Sequence, residues 1–446
     1  MLLTIEKLIY GGDGLARMPA SSSQTADRGR GKAVFVPFVL AGEKIEATVS
    51  EEKPGFARAR VDSMVEASPH RIPPACPYFA RCGGCHYQHA DYEHQLEIKK
   101  EILRENLRRI AKLELPCAVE VHRSPPWNYR NRSRLQVQTA PDFAAGYFQF
   151  GSHELLPVEQ CPISSPLINR AIAALWKSGR SGKVPAGVRE VEFFADAGDE
   201  GLLVEVSCSS EAKRSAVRAW GEEFRAVMPE ITGMAAFREN HRGTPDLLVS
   251  TGAHEVTYHT RHANYRVSAG AFFQTNRFLI DELVDIVTRG RSGEFALDLY
   301  AGVGLFSTAL ARDIRHIVSV ESSQTAAADL AYNLPSNARA IQAATELYLS
   351  QHADKGRAGK GDVLPQMPQK PDLAVADPPR SGLGERVTRA LAALGAPRLT
   401  YVSCDPATLA RDLVLLLAAG YRVDAAHLVD LFPQTYHVES VLQLVR

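Results

Sequence analysis

The stretch Phe295-Ala-Leu-Asp298-Leu-Tyr300-Ala-Gly302-Val-Gly304-Leu-Phe306 decides the fold. Its first half is an apolar run of strand length, and its second half is a glycine turn opening a helical pattern. Glycines at such a turn let the backbone approach a ligand closely. Outward from it, strand and helix alternate. Strands read at 295–300, 316–321, 373–377 and 398–403, and helices at 275–289, 304–312, 322–334, 384–395 and 406–419. That alternation predicts a parallel, doubly wound sheet over 266–446. Two more strand-like runs, Tyr421 to Leu428 and Ser440 to Val445, close it.

Ligands of open α/β sheets sit outside the carboxyl ends of the strands. Three such ends carry chemistry. Glu321 ends a strand seventeen residues after Gly304, where a carboxylate can bind both hydroxyls of a ribose. Val375-Ala-Asp377-Pro378-Pro379-Arg380 ends another. In Thr400-Tyr401-Val402-Ser403-Cys404-Asp405-Pro406 a cysteine stands between a strand and a helix start. A helix N-terminus lowers a thiol's pKa and makes it a better nucleophile. Taken alone, Cys404 reads equally well as a small buried hydrophobe.

Upstream, residues 1–66 hold five or so short apolar runs separated by Gly11-Gly12-Asp13-Gly14 and Leu40-Ala-Gly42-Glu43, which predicts a partly open β-barrel of the oligonucleotide-binding kind. Ser21 to Gly31 reads as a polar loop, and 352–371 as a surface insertion. Residues 67–265 read as a central α+β unit, with strands at Arg134 to Gln138, Gly146 to Phe150, Glu190 to Ala195 and Leu202 to Ser207, and helices near 165–177 and 211–227. A helix over Tyr92 to Leu113 presents Leu96, Ile102, Leu103, Leu107 and Ile110 on one face, and is expected to pack on the last domain. Arg130, Arg132 and Arg134 alternate beside Trp127 and Tyr129, a pattern that suits an exposed nucleic-acid strand.

Seven cysteines, three of them packed into Cys76-Pro-Tyr-Phe-Ala-Arg-Cys82-Gly-Gly-Cys85, do not resemble a secreted disulfide framework. With the distant Cys161 they make a four-thiolate set. The spacing differs from the paired knuckles usual for zinc, which remains the alternative, and suits an iron–sulfur cluster. Cys117 and Cys208 have no motif around them and read as buried spares. The 446 residues are 45% hydrophobic and 23% charged, ordinary for a soluble protein. Basic and acidic residues balance at 51 each, so nucleic-acid binding has to come from local patches. No apolar run is long enough to span a membrane, and the first residues lack the layout of a secretory signal. A cytoplasmic monomer is expected.

Asp-Leu-Tyr-Ala-Gly-Val-Gly resembles motif I of S-adenosylmethionine-dependent methyltransferases, and Asp377-Pro-Pro the motif of enzymes that methylate nucleic-acid bases. Together with Ala271-Phe272-Phe273-Gln274-Thr275-Asn276, Ser403-Cys404-Asp405-Pro406 and His437-Val438-Glu439-Ser440-Val441, they resemble the RNA uracil-C5 methyltransferases over nearly the whole chain. The resemblance implies a class I methyltransferase domain, an N-terminal TRAM barrel that binds RNA, and a [4Fe–4S] cluster on Cys76, Cys82, Cys85 and Cys161. It implies Cys404 as nucleophile, Glu439 as base, and Gln274, Tyr300, Glu321 and Asp377 as S-adenosylmethionine contacts. The implied substrate is a uridine flipped out of structured RNA, with 23S ribosomal RNA favoured over transfer RNA. Cytosine-C5 methylation and a non-catalytic RNA-binding assembly factor are the rivals, and intact Cys404 and Glu439 speak against the second. Leu305 departs from an asparagine that ribosomal-RNA members often carry there.

Overall fold

The structure is a computed structural model and describes residues 1–18, 31–238, 246–353 and 370–446. The loop read at 21–31 and the insertion read at 352–371 fall, apart from their ends, outside the described residues. The chain opens with six strands, Leu2–Thr4 (β1), Lys7–Leu8 (β2), Asp13–Arg17 (β3), Ala33–Pro37 (β4), Lys44–Glu52 (β5) and Phe56–Glu66 (β6), in the order β1-β5-β6-β4-β3-β2. Residues alternate in and out along β4 and β5 as the period of a strand requires. Leu3, Ile5, Val34, Val36, Ile45 and Ala57 fill the small core. Leu8 and Leu40 leave it to pack into the core of the last domain.

Helix α1 (Tyr92–Asn106) follows the cysteine loop, capped by the Asp91 carboxylate, which accepts from the His94 amide at 2.8 Å. It ends earlier than the apolar spacing predicts, in a π-helical turn over Leu107–Ala111 that Lys112 stops at φ +54°. Ile98, Ile102, Leu103 and Leu107 pack with Leu409, Leu413 and Leu416 of the catalytic layer. Strand β7 (Val119–His122) then joins the edge of the catalytic sheet.

The central unit is built on β8 (Arg132–Gln138), β9 (Ala144–Phe148), β10 (Leu155–Pro157), α2 (Pro166–Arg180), β11 (Val188–Ala195), β12 (Leu202–Cys208), α3 (Arg214–Val227), β13 (Ile231–Arg238) and β14 (Asp246–Gly252). Its sheet runs β10-β9-β8-β11-β12-β13-β14, antiparallel except between β12 and β13. Ile168 and Ile172 of α2 and Trp220 and Phe224 of α3 meet Val191, Phe193, Val204 and Val206 of the sheet. The hairpin β15 (Glu255–His259) and β16 (Asn264–Ser268) buries Tyr258, Tyr265 and Val267 in one core with Phe273, Leu283 and Phe306, which Phe194 of β11 joins.

The last domain holds α4 (Ile280–Thr288), β17 (Gly293–Leu299), α5 (Leu305–Leu310), β18 (Ile314–Glu321), α6 (Gln324–Asn333), β19 (Ala338–Gln342), α7 (Thr345–Ala353), β20 (Leu373–Ala376), α8 (Gly384–Leu394), β21 (Arg398–Ser403), α9 (Pro406–Ala418), β22 (Arg422–Val429) and β23 (Glu439–Val445). The sheet order is β19-β18-β17-β20-β21-β23-β22-β7. The first five strands are parallel, and β23 lies antiparallel to both β21 and β22. Helices cover both faces, so strands such as Leu373-Ala-Val-Ala376 are buried throughout. Phe295, Leu297 and Leu299 face one layer and Ala296 the other, the two-residue period of a strand. Tyr300 at φ +60°, Gly302 at +56° and Gly304 at +97° turn the chain into α5.

One buried ion pair fastens α1 to the catalytic layer. Lys99 Nζ donates to Asp430 Oδ1 at 2.6 Å and to the Phe432 carbonyl at 2.8 Å, both side chains being fully buried. Tyr92 donates to the other Asp430 oxygen at 2.8 Å. Removing one partner of a buried pair strands the other charge. Lys99→Met is therefore expected to cost about 3–5 kcal/mol, read as a lowered thermal midpoint; an unchanged midpoint contradicts the assignment.

Candidate active site

Cys404 follows β21 directly, and Asp405 caps α9 by accepting from the amides of Ala407 and Thr408, both at 2.9 Å. Pairing of β21 with β23 sets Ser403 against Ser440, and pairing of β22 with β23 sets Val429 against Glu439. Glu439 thus enters the sheet one residue beyond the partner of Ser403, beside the cysteine. Asp377 ends β20, the strand on the other side of β21. Two carboxyl groups and a thiol from three neighbouring strands meet at one place.

Their electrostatics follow from burial. Glu439 is buried, and its carboxyl is pushed well above the usual range by desolvation first and by Asp377 second, with Arg380 opposing. Asp377 rises to about 7 through burial and Asp298. The Cys404 thiol rises to about 12, through burial, then Glu439 and Asp377; Arg380 pulls the other way. The expectation that a helix N-terminus lowers this thiol's pKa is corrected here. The first amides of α9 are taken by Asp405, whose charge itself raises the thiol.

The residues expected from the sequence to contact the cofactor lie at and beside the adjoining strand ends. Glu321 at the end of β18 accepts from the Gly302 amide at 2.9 Å and the Ser323 amide at 2.7 Å. A Cβ on Gly302 meets nothing within 4 Å, so the turn opens onto free space. Tyr300 lies on that turn. Gln274 donates from Nε2 to Asp377 at 3.4 Å, and its carbonyl accepts from Asn131 at 3.2 Å. Asp298, buried beneath, is bonded by Ser307, and burial lifts it to about 7.

Sequence reading assigned no role to several side chains that the fold places here. Arg380 lies 3.3 Å from His437 Nε2, and burial together with that guanidinium pushes His437 down to about 3. Tyr10 reaches over from the front sheet and donates to the Cys404 carbonyl at 3.2 Å. Its ring meets Tyr436 edge-on at 5.5 Å, and Tyr436 in turn packs on His86 and His437. For Arg380 the adjoining Asp-Pro-Pro was a signal; for Tyr10 there was none.

The arginine stripe is not the open face expected of it. Arg132 and Arg134 do share a face, but both pair with Glu192, at 2.6 and 2.9 Å, and Arg134 also approaches Glu190 and Glu205. Arg132 further stacks over Phe194 and donates to the Ala271 carbonyl. Arg130 precedes β8 and bears electrostatically on Cys82, while Tyr129 is fully buried and bonds the Pro433 carbonyl at 3.0 Å. The carboxylates across the strand were the missing information.

Cys76, Cys82, Cys85 and Cys161 gather between the cysteine loop and the central unit. Gly83 donates to the Phe148 carbonyl at 3.0 Å, and Asn169 holds Cys161 through its amide and carbonyl at 2.8 and 3.0 Å. Burial first, and the other thiols of the set after it, raise Cys82 to about 11 and raise Cys85 further; burial and Cys161 also raise Cys76. Among the described residues, the only metal-type group with ligand atoms all within 4.8 Å is Glu120, His122 and His427, so no three of these sulfurs are that close. The four thiols thus lie near enough to act on one another electrostatically but are not drawn together into a closed ligand set. Cys208 is buried in the central core and Cys117 packs partly buried against the catalytic core.

Comparison with known proteins places this architecture. The tRNA (Uracil-5-)-methyltransferase family model matches residues 91–446, and the TRAM domain model matches 1–61. The chain is 31% identical to the 23S rRNA (uracil(1939)-C(5))-methyltransferase RlmD of Pseudomonas fluorescens, over 98% of this chain and 92% of that protein. Its identity to the RlmD of Chromohalobacter salexigens is 33%, over 100% and 89%. The crystal structure of Pyrococcus abyssi tRNA (uracil-54, C5)-methyltransferase with S-adenosyl-L-homocysteine superposes with a TM-score of 0.74 at 23% identity, covering both chains fully. No described helix is long and apolar enough to cross a membrane.

The raised thiol makes a prediction of sign. Asp377→Asn removes a neighbour that is negative at pH 8, lowers the thiol's pKa and increases the thiolate fraction, about tenfold per pKa unit. Iodoacetamide labelling of Cys404 at pH 8, followed by mass spectrometry, is expected to speed up in Asp377→Asn and slow in Arg380→Ala. Equal rates in wild type and both variants contradict the electrostatic account.

Proposed function

The chain belongs to the tRNA (uracil-5-)-methyltransferase family and is an S-adenosylmethionine-dependent RNA uracil-C5 methyltransferase, and from this we propose that its target is an unpaired uridine of 23S ribosomal RNA, methylated through Cys404 and Glu439. The observation that carries the chemistry is the meeting of a thiol and a buried carboxyl on neighbouring antiparallel strands, at the sheet end where ligands bind. The names of the two RlmD relatives, both above 30% identity over nearly the full chain, support the ribosomal target.

Uracil C5 is a poor nucleophile, and a base inside a stack cannot reach a strand-end cysteine, so the uridine is flipped out. Cys404 gives its proton to solvent before the uridine seals the site, and Arg380 stabilises the thiolate left behind. The sulfur bonds to C6, and the C5–C6 electron pair moves into an enolate. S-adenosylmethionine, when bound, supplies the methyl group and a positive sulfonium beside the acidic pocket. Gln274, Tyr300, Glu321 and Asp377 hold it, the Glu321 carboxylate serving the ribose hydroxyls. After C5 has gained the methyl group, Glu439 takes the C5 proton, the C5–C6 double bond returns and Cys404 leaves as thiolate. Tyr10, bonded to the Cys404 carbonyl, holds the nucleophile's loop and brings the front sheet to the site.

The four thiols are proposed to hold a [4Fe–4S] cluster that pins the cysteine loop to the central unit. Its proposed role is structural or RNA-positioning rather than redox, and the structural reading is supported by His86 and Tyr87, which follow Cys85 and whose amides donate to the Gln434 carbonyl at 2.8 and 2.9 Å in the loop leading to Glu439.

RNA carrying 5-fluorouridine at the target is expected to form a covalent adduct on Cys404, since fluorine cannot leave as a proton does; an adduct on Cys117 or Cys208 overturns the assignment. Loss of 5-methyluridine from 23S RNA in a strain lacking the protein, restored by wild type but not Cys404→Ser, tests the target. Anaerobically purified protein is expected to be brown, with about four irons per chain. Cys161→Ser should bleach it and Cys404→Ser should not. Stoichiometric zinc without iron would falsify the cluster.

A further inference from the structure

Two strands away from Cys404, at the seam between β22 and β7, a second group of ligand side chains converges. The parallel register sets His427 against Glu120 and Val429 against His122, so Glu120, His122 and His427 project from one face. His122 Nε2 lies 3.0 Å from His427 Nδ1, Glu120 lies 3.4 Å from the same His427 nitrogen, and 3.9 Å separates Glu120 from His122 Nε2. Ligands on a tetrahedral ion with bonds of about 2.0–2.1 Å stand about 3.3 Å apart, and these three distances bracket that value.

The ring opposite supports the same conclusion. His122 Nδ1 is 2.8 Å from the Glu282 carboxylate of α4, so that nitrogen carries the proton and Nε2 presents its lone pair to His427 and Glu120. A carboxylate holding the far nitrogen is the usual support of a metal-bound imidazole. Arg291 is the positive group that bears electrostatically on His427. Arg291 disfavours a cation here, but Glu120 and Glu282 bring two negative charges against its one.

We propose that Glu120, His122 and His427 bind a divalent transition ion of the zinc class, with Glu282 positioning His122 and solvent completing the coordination on the exposed Glu120 side. The ion staples β7 to β22 and α4. It thereby fixes the segment that precedes the central unit onto the catalytic sheet.

Cobalt(II) is the probe, added to chelator-treated protein that retains its iron. One saturable equivalent is expected, giving visible d–d bands without the near-ultraviolet thiolate charge transfer that cysteine ligation produces, competed by zinc and raising the thermal midpoint. His122→Ala and His427→Ala should abolish the bands, and Glu282→Gln should weaken binding 10–100-fold. If a histidine variant does not fold, Glu120→Gln and Glu282→Gln, which keep the shape and remove only the charge, give the same comparison. Bands that survive unweakened in Glu120→Gln and Glu282→Gln, or thiolate charge transfer in place of nitrogen and oxygen bands, overturn the site.

Discussion

The antiparallel pairing of β23 with β21 is the constraint on which the rest depends. In a purely parallel sheet the chain's final strand would deliver its amino end to the opposite edge from Cys404. Reversing β23 puts Glu439, its first residue, at the carboxyl end of the strand that leads into Cys404. The loop between β22 and β23 then has to be held, and nearly every part of the chain contributes. Lys99 and Tyr92 bind Asp430, Asn276 bonds the Leu431 carbonyl, Tyr129 bonds Pro433, and Gln95 pairs with Gln434 through both amide and side chain. The cysteine loop adds His86 and Tyr87 on the Gln434 carbonyl. The cysteine loop and Glu439, the proposed base, are thereby connected through one loop.

Burial sets the chemistry of the pocket as firmly as strand order sets its geometry. Cys404, Asp377 and Glu439 are each pushed toward their protonated forms, and Arg380 acts against this for Cys404 and Glu439. A site rich in negative potential and poor in water favours a positively charged cosubstrate, and its arrival shifts all three groups back toward ionisation. The thiol's reactivity is thus tied to loading of the site rather than to the helix terminus.

The doubly wound sheet, its closing strands and the α+β centre were legible because period and glycine turns are local signals. The glycine turn, Glu321, Asp377 and Cys404 were legible for the same reason, each ending a strand. What escaped depended on partners far away in sequence. Nothing in Val119 to His122 reveals that it pairs with β22, and nothing in Tyr258 reveals that it bridges Phe194 of the central sheet and Phe273 of the catalytic core. Arg132 and Arg134 resemble a phosphate-binding stripe until Glu192, about sixty residues later, is placed across from them.

Release of tritium from RNA labelled at uridine C5, followed together with methyl transfer in a single turnover, tests the Cys404–Glu439 pair most directly. In Glu439→Gln the methyl group is expected to be incorporated while tritium stays on the base and the RNA stays attached to Cys404. Tritium release at the wild-type rate, with free methylated RNA, would mean that another group takes the proton and that the pairing of β23 with β21 does not supply the base.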